Sequence, residues 1–267
     1  MQHQKQKIEK VSKPYLKGSM VDRGTPGGVL KFFAGTVIMS VLFLIIGVMM
    51  NWGQQWLNIS VNLFIVLGVY LFFHQMGAGS GAEAVSQGEI MFTRQQKGRP
   101  VADWERQLCY HPLKGLIAAL LGSLPLFLAS LILACITERQ FTMLGALPSW
   151  VGGLEGREEI GAALMYYHEN TGMSFEAILR LVIRMSTMPY VNMIGAENRD
   201  GMLLLERISP LLSLLPALAY GVGYMGGVSV RTSVHTNIAL GKKKAQRKQA
   251  KERRSRQQTR RGPEQLN

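Results

Sequence analysis

The stretch Phe32–Ala82, FFAGTVIMSVLFLIIGVMMNWGQQWLNISVNLFIVLGVYLFFHQMGAGSGA, contains no Asp, Glu, Lys or Arg. A transmembrane helix needs about 20 apolar residues, so this stretch is too long for one crossing and long enough for two. Its middle, Asn51-Trp-Gly-Gln-Gln55, is polar and contains a glycine, which favours a turn. We therefore predict a hairpin of two transmembrane helices, at residues 32–50 and 56–76.

Two more uncharged stretches follow, at residues 115–137 and 208–230, with 23 residues each. That length is enough for one tilted crossing. Together with the hairpin they predict an all-α, polytopic integral membrane protein with four transmembrane helices. The uncharged stretch 140–154 is shorter and contains Pro148, so it predicts a re-entrant or interfacial segment rather than a span.

The basic residues are distributed unevenly between the loops. The chain has 30 Lys and Arg against 17 Asp and Glu, a net charge of +13. Twenty-four of the basic residues lie in segments 1–31, 77–114 and 231–267, and six lie in segment 138–207. Because loops rich in Lys and Arg tend to remain in the cytoplasm, we predict cytoplasmic termini, an extracytoplasmic 138–207 loop and a bacterial plasma membrane as the location.

The predicted extracytoplasmic loop contains the pattern of an amphipathic helix. Ser174 is a helix cap, and an apolar stripe follows at helical spacing, formed by Ile178, Leu181, Val182 and Met185. Arg180 and Arg184 fall on the opposite side, and Pro189 is expected to end the helix. We expect this helix to lie on the outer leaflet or across the bundle, after an earlier helix at 157–168.

The 77–114 loop begins with Gly77-Ala-Gly-Ser-Gly81, which predicts a flexible exit from the second span. Residues 100–110 can form a short helix. Glu83-Ala-Val-Ser-Gln-Gly88 resembles the cytoplasmic coupling loop of type I ABC-importer permeases, and this resemblance, which covers fewer than twenty residues, implies a role in transport.

The carboxyl-terminal tail is the most strongly charged segment, and it has almost no apolar residues with which to bury a core. We predict a disordered segment or a solvated helix that extends from the last span. Its candidate polyanion-binding residues are Lys242, Lys243, Lys244, Arg247, Lys248, Lys251, Arg253, Arg254, Arg256, Arg260 and Arg261. The expected partners are anionic lipid headgroups, or RNA and the ribosome in particular. Since the basic run has no aromatic residue for stacking on bases, sequence-specific recognition of nucleic acid is not expected.

The remaining patterns indicate no catalytic centre. The two cysteines, Cys109 and Cys135, have no metal-site spacing, and no cofactor is expected. We therefore predict a non-enzymatic structural or accessory protein that acts through the bilayer and protein partners. One alternative is a transport component such as a permease subunit. Another is an enzyme with an outer-face site, for which the candidate residues are Glu158, Glu159, His168 and Glu169.

Overall fold

The computed structural model describes residues 11–49, 54–137, 154, 157, 175–195 and 198–260, and these residues form helices without any strand. The helices are α1 (Thr25–Met49), α2 (Gln55–Gln96), α3 (Asp103–Gln107), α4 (Lys114–Ile136), α5 (Phe175–Ser186), α6 (Met188–Ile194), α7 (Arg199–Met225) and α8 (Gly227–Arg260). Helices α1, α2, α4 and α7 are long and apolar enough to cross a membrane. The predicted all-α, polytopic membrane fold is confirmed.

Helix α7 lies at the centre of the bundle, between α2 and α4, and α1 packs on α4. We call the end of the bundle where α1 begins and α7 ends the tail side, and the opposite end the loop side. Near the tail side, the ring of Phe32 packs on Phe73 and Tyr220, with ring centroids 5.3 and 5.4 Å apart. These buried rings join α1, α2 and α7 in the main apolar core.

Helix α2 continues to Gln96, so the prediction that Gly77–Gly81 forms a flexible exit is wrong. The physical reason is a close crossing with α7. A Cβ atom on Gly77 would overlap the Tyr220 carbonyl oxygen, and one on Gly223 would overlap the His74 carbonyl oxygen. The glycines therefore serve helix contact, as small residues do in membranes. Residues 83–88 also lie inside α2 and not in a loop.

Helices α5 and α6 form a re-entrant hairpin, residues 175–194, on the loop side of the bundle. Ser186 and Thr187, at the turn of this hairpin, line the same cavity as Thr36, Leu126 and Leu212. Those three residues lie near the middle of α1, α4 and α7. The helix predicted from Ser174 onward is thus present as α5, but it descends between the spans. The segments 140–154 and 157–168, for which we predicted a re-entrant segment and a helix, lie almost entirely outside the described residues.

The charged side of α5 is reversed from the expectation, because its two arginines face the bundle and not water, whereas the exposed apolar stripe agrees with a side that faces lipid. Its buried residues are Leu179, Arg180, Ile183 and Arg184, while much of the predicted apolar stripe is exposed on the surface of the chain. A helix that enters hydrocarbon turns its charged side inward and its apolar side toward lipid, which accounts for the reversal. The helix also ends at Ser186, before Pro189, which lies in the first turn of α6, where proline is tolerated.

The last span begins and ends earlier than the predicted 208–230, since α7 runs from Arg199 to Met225. At Gly226 the backbone stays in the right-handed helical region, and its N–H group bonds to the carbonyl groups of the preceding turn. Helix α8 follows directly and reaches Arg260. Of the two states predicted for the tail, the structure therefore has the helix.

Candidate polyanion-binding arm and buried charges

The outer part of α8, residues 241–260, is a helix that we call the basic arm. Every residue from Gly241 to Ser255 is exposed to solvent. The eight predicted binding residues from Lys242 to Arg254 all lie in this exposed part, and Arg256 and Arg260 lie further along the same helix. Arg261 lies outside the described residues. The arm thus places ten of the eleven predicted residues on one helix.

The sequence of the arm favours a helix that has no apolar side. Lys, Arg, Gln, Glu and Ala are all good helix formers, and the arm contains no proline. At 100° per residue, its basic residues fall on every side of the helix. Its only apolar side chains are those of Ala245 and Ala250. An interfacial helix needs a broad apolar face to enter a membrane surface, so this arm can act through charge alone.

The inner part of α8, residues 227–240, is the arm base and packs beside α2. The buried Glu89 carboxylate of α2 accepts hydrogen bonds from Arg231 Nε and Nη2 of α8, at 3.1 and 3.0 Å. His235 Nε2 lies 2.7 Å from the other Glu89 oxygen. One carboxylate therefore holds two successive turns of the arm base.

An extended segment, residues 11–24, crosses the arm base and is called the strap. The backbone N–H of Leu16 donates to the Gly88 carbonyl of α2 at 3.1 Å, and that of Val11 donates to Thr236 Oγ1 of α8 at 3.1 Å. At the end of the strap, Lys114 Nζ lies 2.6 Å from Asp22 Oδ2. The strap therefore ties α2, α4 and α8 together on the tail side.

The arm begins where its neighbouring helix ends. Gly77 of α2 lies against Tyr220 of α7, and Glu89, further along α2, pairs with Arg231 of α8. Because both partners advance in sequence together, α2 runs in the same direction as α7 and α8. The same residue offset that pairs Glu89 with Arg231 and His235 puts the end of α2, at Gln96, level with residues 238–242. The arm therefore extends past α2, and its roughly 20 residues span about 30 Å.

A second set of charges is buried near the loop side, around Glu206 of α7. Arg180 Nε lies 3.1 and 3.2 Å from the two Glu206 oxygens, and Arg184 Nη2 lies 2.7 Å from one of them. Thr137 of α4 donates to the same carboxylate. Arg180 also contacts Glu176, at 2.5 Å. These side chains join α4, α5 and α7 near the loop side.

The sequence analysis missed this cluster because it placed Glu206 outside the last span and the two arginines on a water-facing side. The spacing of Arg180 and Arg184, one turn apart on a helix with an otherwise apolar stripe, was the available signal. Paired ionisable groups near spans indicate inward-facing charges, and a cation pair also needs a carboxylate on a neighbouring helix.

The middle of the bundle contains a cavity of about 50 Å³ around the tip of the re-entrant hairpin. Its polar lining consists of Thr36, Ser40, Tyr70, Ser186, Thr187, Tyr190 and Ser213. The hydroxyl oxygens of Tyr70 and Tyr190 lie 2.5 Å apart. Most of the cavity lining is apolar, and the hydroxyl groups of Ser40, Ser186 and Thr187 already donate to backbone carbonyl groups.

The residues of the predicted outer-face site, Glu158, Glu159, His168 and Glu169, lie outside the described residues. Within the described part of the chain, no group of three His, Cys, Asp or Glu side chains is placed to hold a metal ion. No family model, no curated protein and no solved structure matches this chain. The function is therefore argued from the arm and the bundle.

Proposed function

We propose that this protein is a non-enzymatic accessory membrane protein that presents a basic helical arm to a polyanionic partner. The observation that carries the proposal is the contrast within α8. The arm base is held by Glu89 and the strap, whereas the arm is exposed along its length. Because the arm is already ordered, a partner would bind it with a smaller loss of conformational entropy than it would a flexible tail.

We further propose that the arm is cytoplasmic in a bacterial cell. The support is the distribution of Lys and Arg, with twenty-four of 30 in the segments on the tail side, because such segments tend to stay in the cytoplasm. That compartment contains the abundant polyanions, namely nucleic acids and the headgroups of the inner leaflet.

The test uses the full-length protein in nanodiscs of zwitterionic lipid, with heparin as a general polyanion. The wild type should bind heparin, and a variant that lacks residues 241–267 should lose most of this affinity. The matched control is Arg94→Gln with Lys97→Gln and Arg99→Gln, which removes three exposed charges at the end of α2 and should leave binding unchanged. Equal heparin binding with and without the arm would refute the proposal.

A transport role is the second candidate, and the cavity at the tip of the re-entrant hairpin, which has a few hydroxyl groups in a mainly apolar lining, favours it. Irregular backbone at membrane depth occurs where it lines a cavity or is buried in protein, as at the tip of the re-entrant hairpin. Hydroxyl groups suit water or a small neutral solute. In proteoliposomes, glycerol entry measured by light scattering should rise above that of empty vesicles and fall in Tyr190→Trp. Equal rates with and without protein would remove this candidate.

A further inference from the structure

We propose that the basic arm binds the phosphate backbone of double-helical nucleic acid and not the surface of its own membrane. This inference rests on the proposed function, since it names the polyanion that the arm would bind. DNA and RNA duplexes share the recognised chemistry, two strands of phosphate groups, but only the major groove of B-form DNA is wide enough to admit a helix, and the experiment compares the two. The inference follows from the distance of the arm to the apolar bundle and from the placement of its charges.

The arm is held away from the bilayer. The uncharged stretch that begins in α7 ends at Val230 of α8, and Lys242 follows 12 residues later, which corresponds to about 18 Å along the helix axis. Glu89, Arg231 and the strap hold the intervening arm base against α2. Attraction to lipid headgroups decays within a Debye length of about 8 Å. The first basic residue of the arm is therefore beyond the reach of the surface potential.

The charges of the arm also suit a groove better than a plane. Ten basic residues and one acidic residue, Glu252, lie between residues 241 and 260, and the basic residues occupy all sides of the helix. A flat surface can contact only one side of a helix that is about 10–12 Å wide. The major groove of B-DNA is about 12 Å wide and has phosphates on both walls, so charges on opposite sides can act together.

The composition of the arm agrees with a duplex. Single-stranded nucleic acid is bound through aromatic side chains that stack on bases, and residues 241–260 contain none. Backbone contacts carry no sequence information, so binding should be independent of sequence and sensitive to salt.

The experiment measures binding of DNA and RNA duplexes, each about one to three helical turns long, to the full-length protein in nanodiscs. Zwitterionic and anionic nanodiscs are compared, and anionic vesicles serve as the competing polyanion. We expect duplex affinity to fall about 10³-fold between about 50 and 200 mM salt. Lys242→Gln with Lys243→Gln and Lys244→Gln should lower the slope of log affinity against log salt by about 3, and the control at Arg94, Lys97 and Arg99 should not.

A linker variant tests the geometry directly. A Gly-Ser insertion between Leu240 and Gly241 frees the arm from its base, so the arm of this variant can fold back onto its own membrane. Its duplex affinity should therefore fall more from zwitterionic to anionic nanodiscs than that of the wild type. Arm-dependent binding of heparin by the wild type without duplex binding, or an equal fall of duplex affinity in the two proteins, would overturn this inference and leave the proposed function standing. Loss of heparin binding as well would overturn both.

Discussion

Glu206 shows how single buried charges hold this membrane fold together. Its side chain is 3% exposed and lies between two guanidinium groups. Burying three charges is costly, and removal of one partner from a buried ion pair costs about 3–5 kcal/mol because the other charge is left uncompensated. The cluster therefore makes the position of the re-entrant hairpin depend on one carboxylate of α7.

We expect Glu206→Gln to destabilise the protein by about 3–5 kcal/mol, since Arg180 and Arg184 would then repel each other in a buried site. The matched control is Glu176→Gln, because Glu176 pairs with Arg180 but its side chain is 37% exposed, and exposed pairs contribute about 1 kcal/mol or less. Thermal unfolding in detergent measures both. Equal shifts in the two variants would contradict the role assigned to Glu206.

Asp22, on the tail side and outside the spans, makes a pH-dependent contribution to the stability of the fold. Burial opposes ionisation of this carboxyl group, but the bonds from Lys114 and Thr25 outweigh it, and the pKa lies below its ordinary value of 3.8. A carboxyl group with a lowered pKa stabilises the fold above its unfolded pKa, and the contribution is lost as the pH falls through the folded pKa.

We therefore expect Asp22→Asn to lower stability at neutral pH by about 1.5–3 kcal/mol, the range for hydrogen bonds to charged groups. The difference from the wild type should be constant above about pH 5 and should shrink as the pH falls below the unfolded pKa and through the lowered pKa of folded Asp22. Melting temperatures of the variant and the wild type across this pH range measure the difference in stability. A difference that does not change down to the lowest pH at which the protein is folded would show that charge is not the cause.

At the scale of helices, the sequence predicted which segments are membrane helices better than it predicted which way the polar side of a helix faces. Three uncharged stretches, the first of them long enough for two crossings, were enough to predict four membrane helices, because the hydrocarbon core sets the length of a span. The same pattern misplaced Arg180 and Arg184, because an amphipathic helix looks alike in sequence whether its polar side faces water or buried partners. It also assigned Gly77 to a flexible segment, because glycine permits both a loop and a close helix crossing.

The close crossing of α2 and α7 makes a prediction about neighbouring glycines. Gly77→Leu should destabilise the bundle strongly, because its Cβ atom would overlap the backbone of α7. Gly79→Leu is the control in the same turn, since the space around its Cβ position is open within 4 Å. We expect Gly77→Leu to lower the melting temperature and Gly79→Leu to leave it unchanged or raise it slightly through helix propensity. Similar melting temperatures of the two variants would contradict the close crossing of α2 and α7.

At the scale of the whole molecule, charge is separated from the apolar bundle by distance. Two compact ion clusters are buried, around Glu206 in the bundle and around Glu89 at the arm base, while most uncompensated positive charge lies in the arm beyond the arm base. The tail was predicted from its composition, but its separation from the bilayer depends on the pairing of Glu89 with Arg231 and His235. Such long-range pairing between helices is not visible in a single sequence.

The orientation of this assembly in the membrane is the prediction with the widest consequence, because it decides which polyanions the arm can meet. The distribution of Lys and Arg predicts the arm inside and residue 149 outside. Single cysteines at Ser149 and Ser255 test it with an impermeant maleimide on intact cells, in a Cys135→Ser background. Native Cys109 can stay, because it is fully buried and burial raises the pKa of its thiol, which slows reaction with the reagent. The cysteine at position 149 should be labelled in intact cells, and that at 255 only after lysis. Labelling at 255 alone in intact cells would place the arm outside, away from cellular nucleic acid.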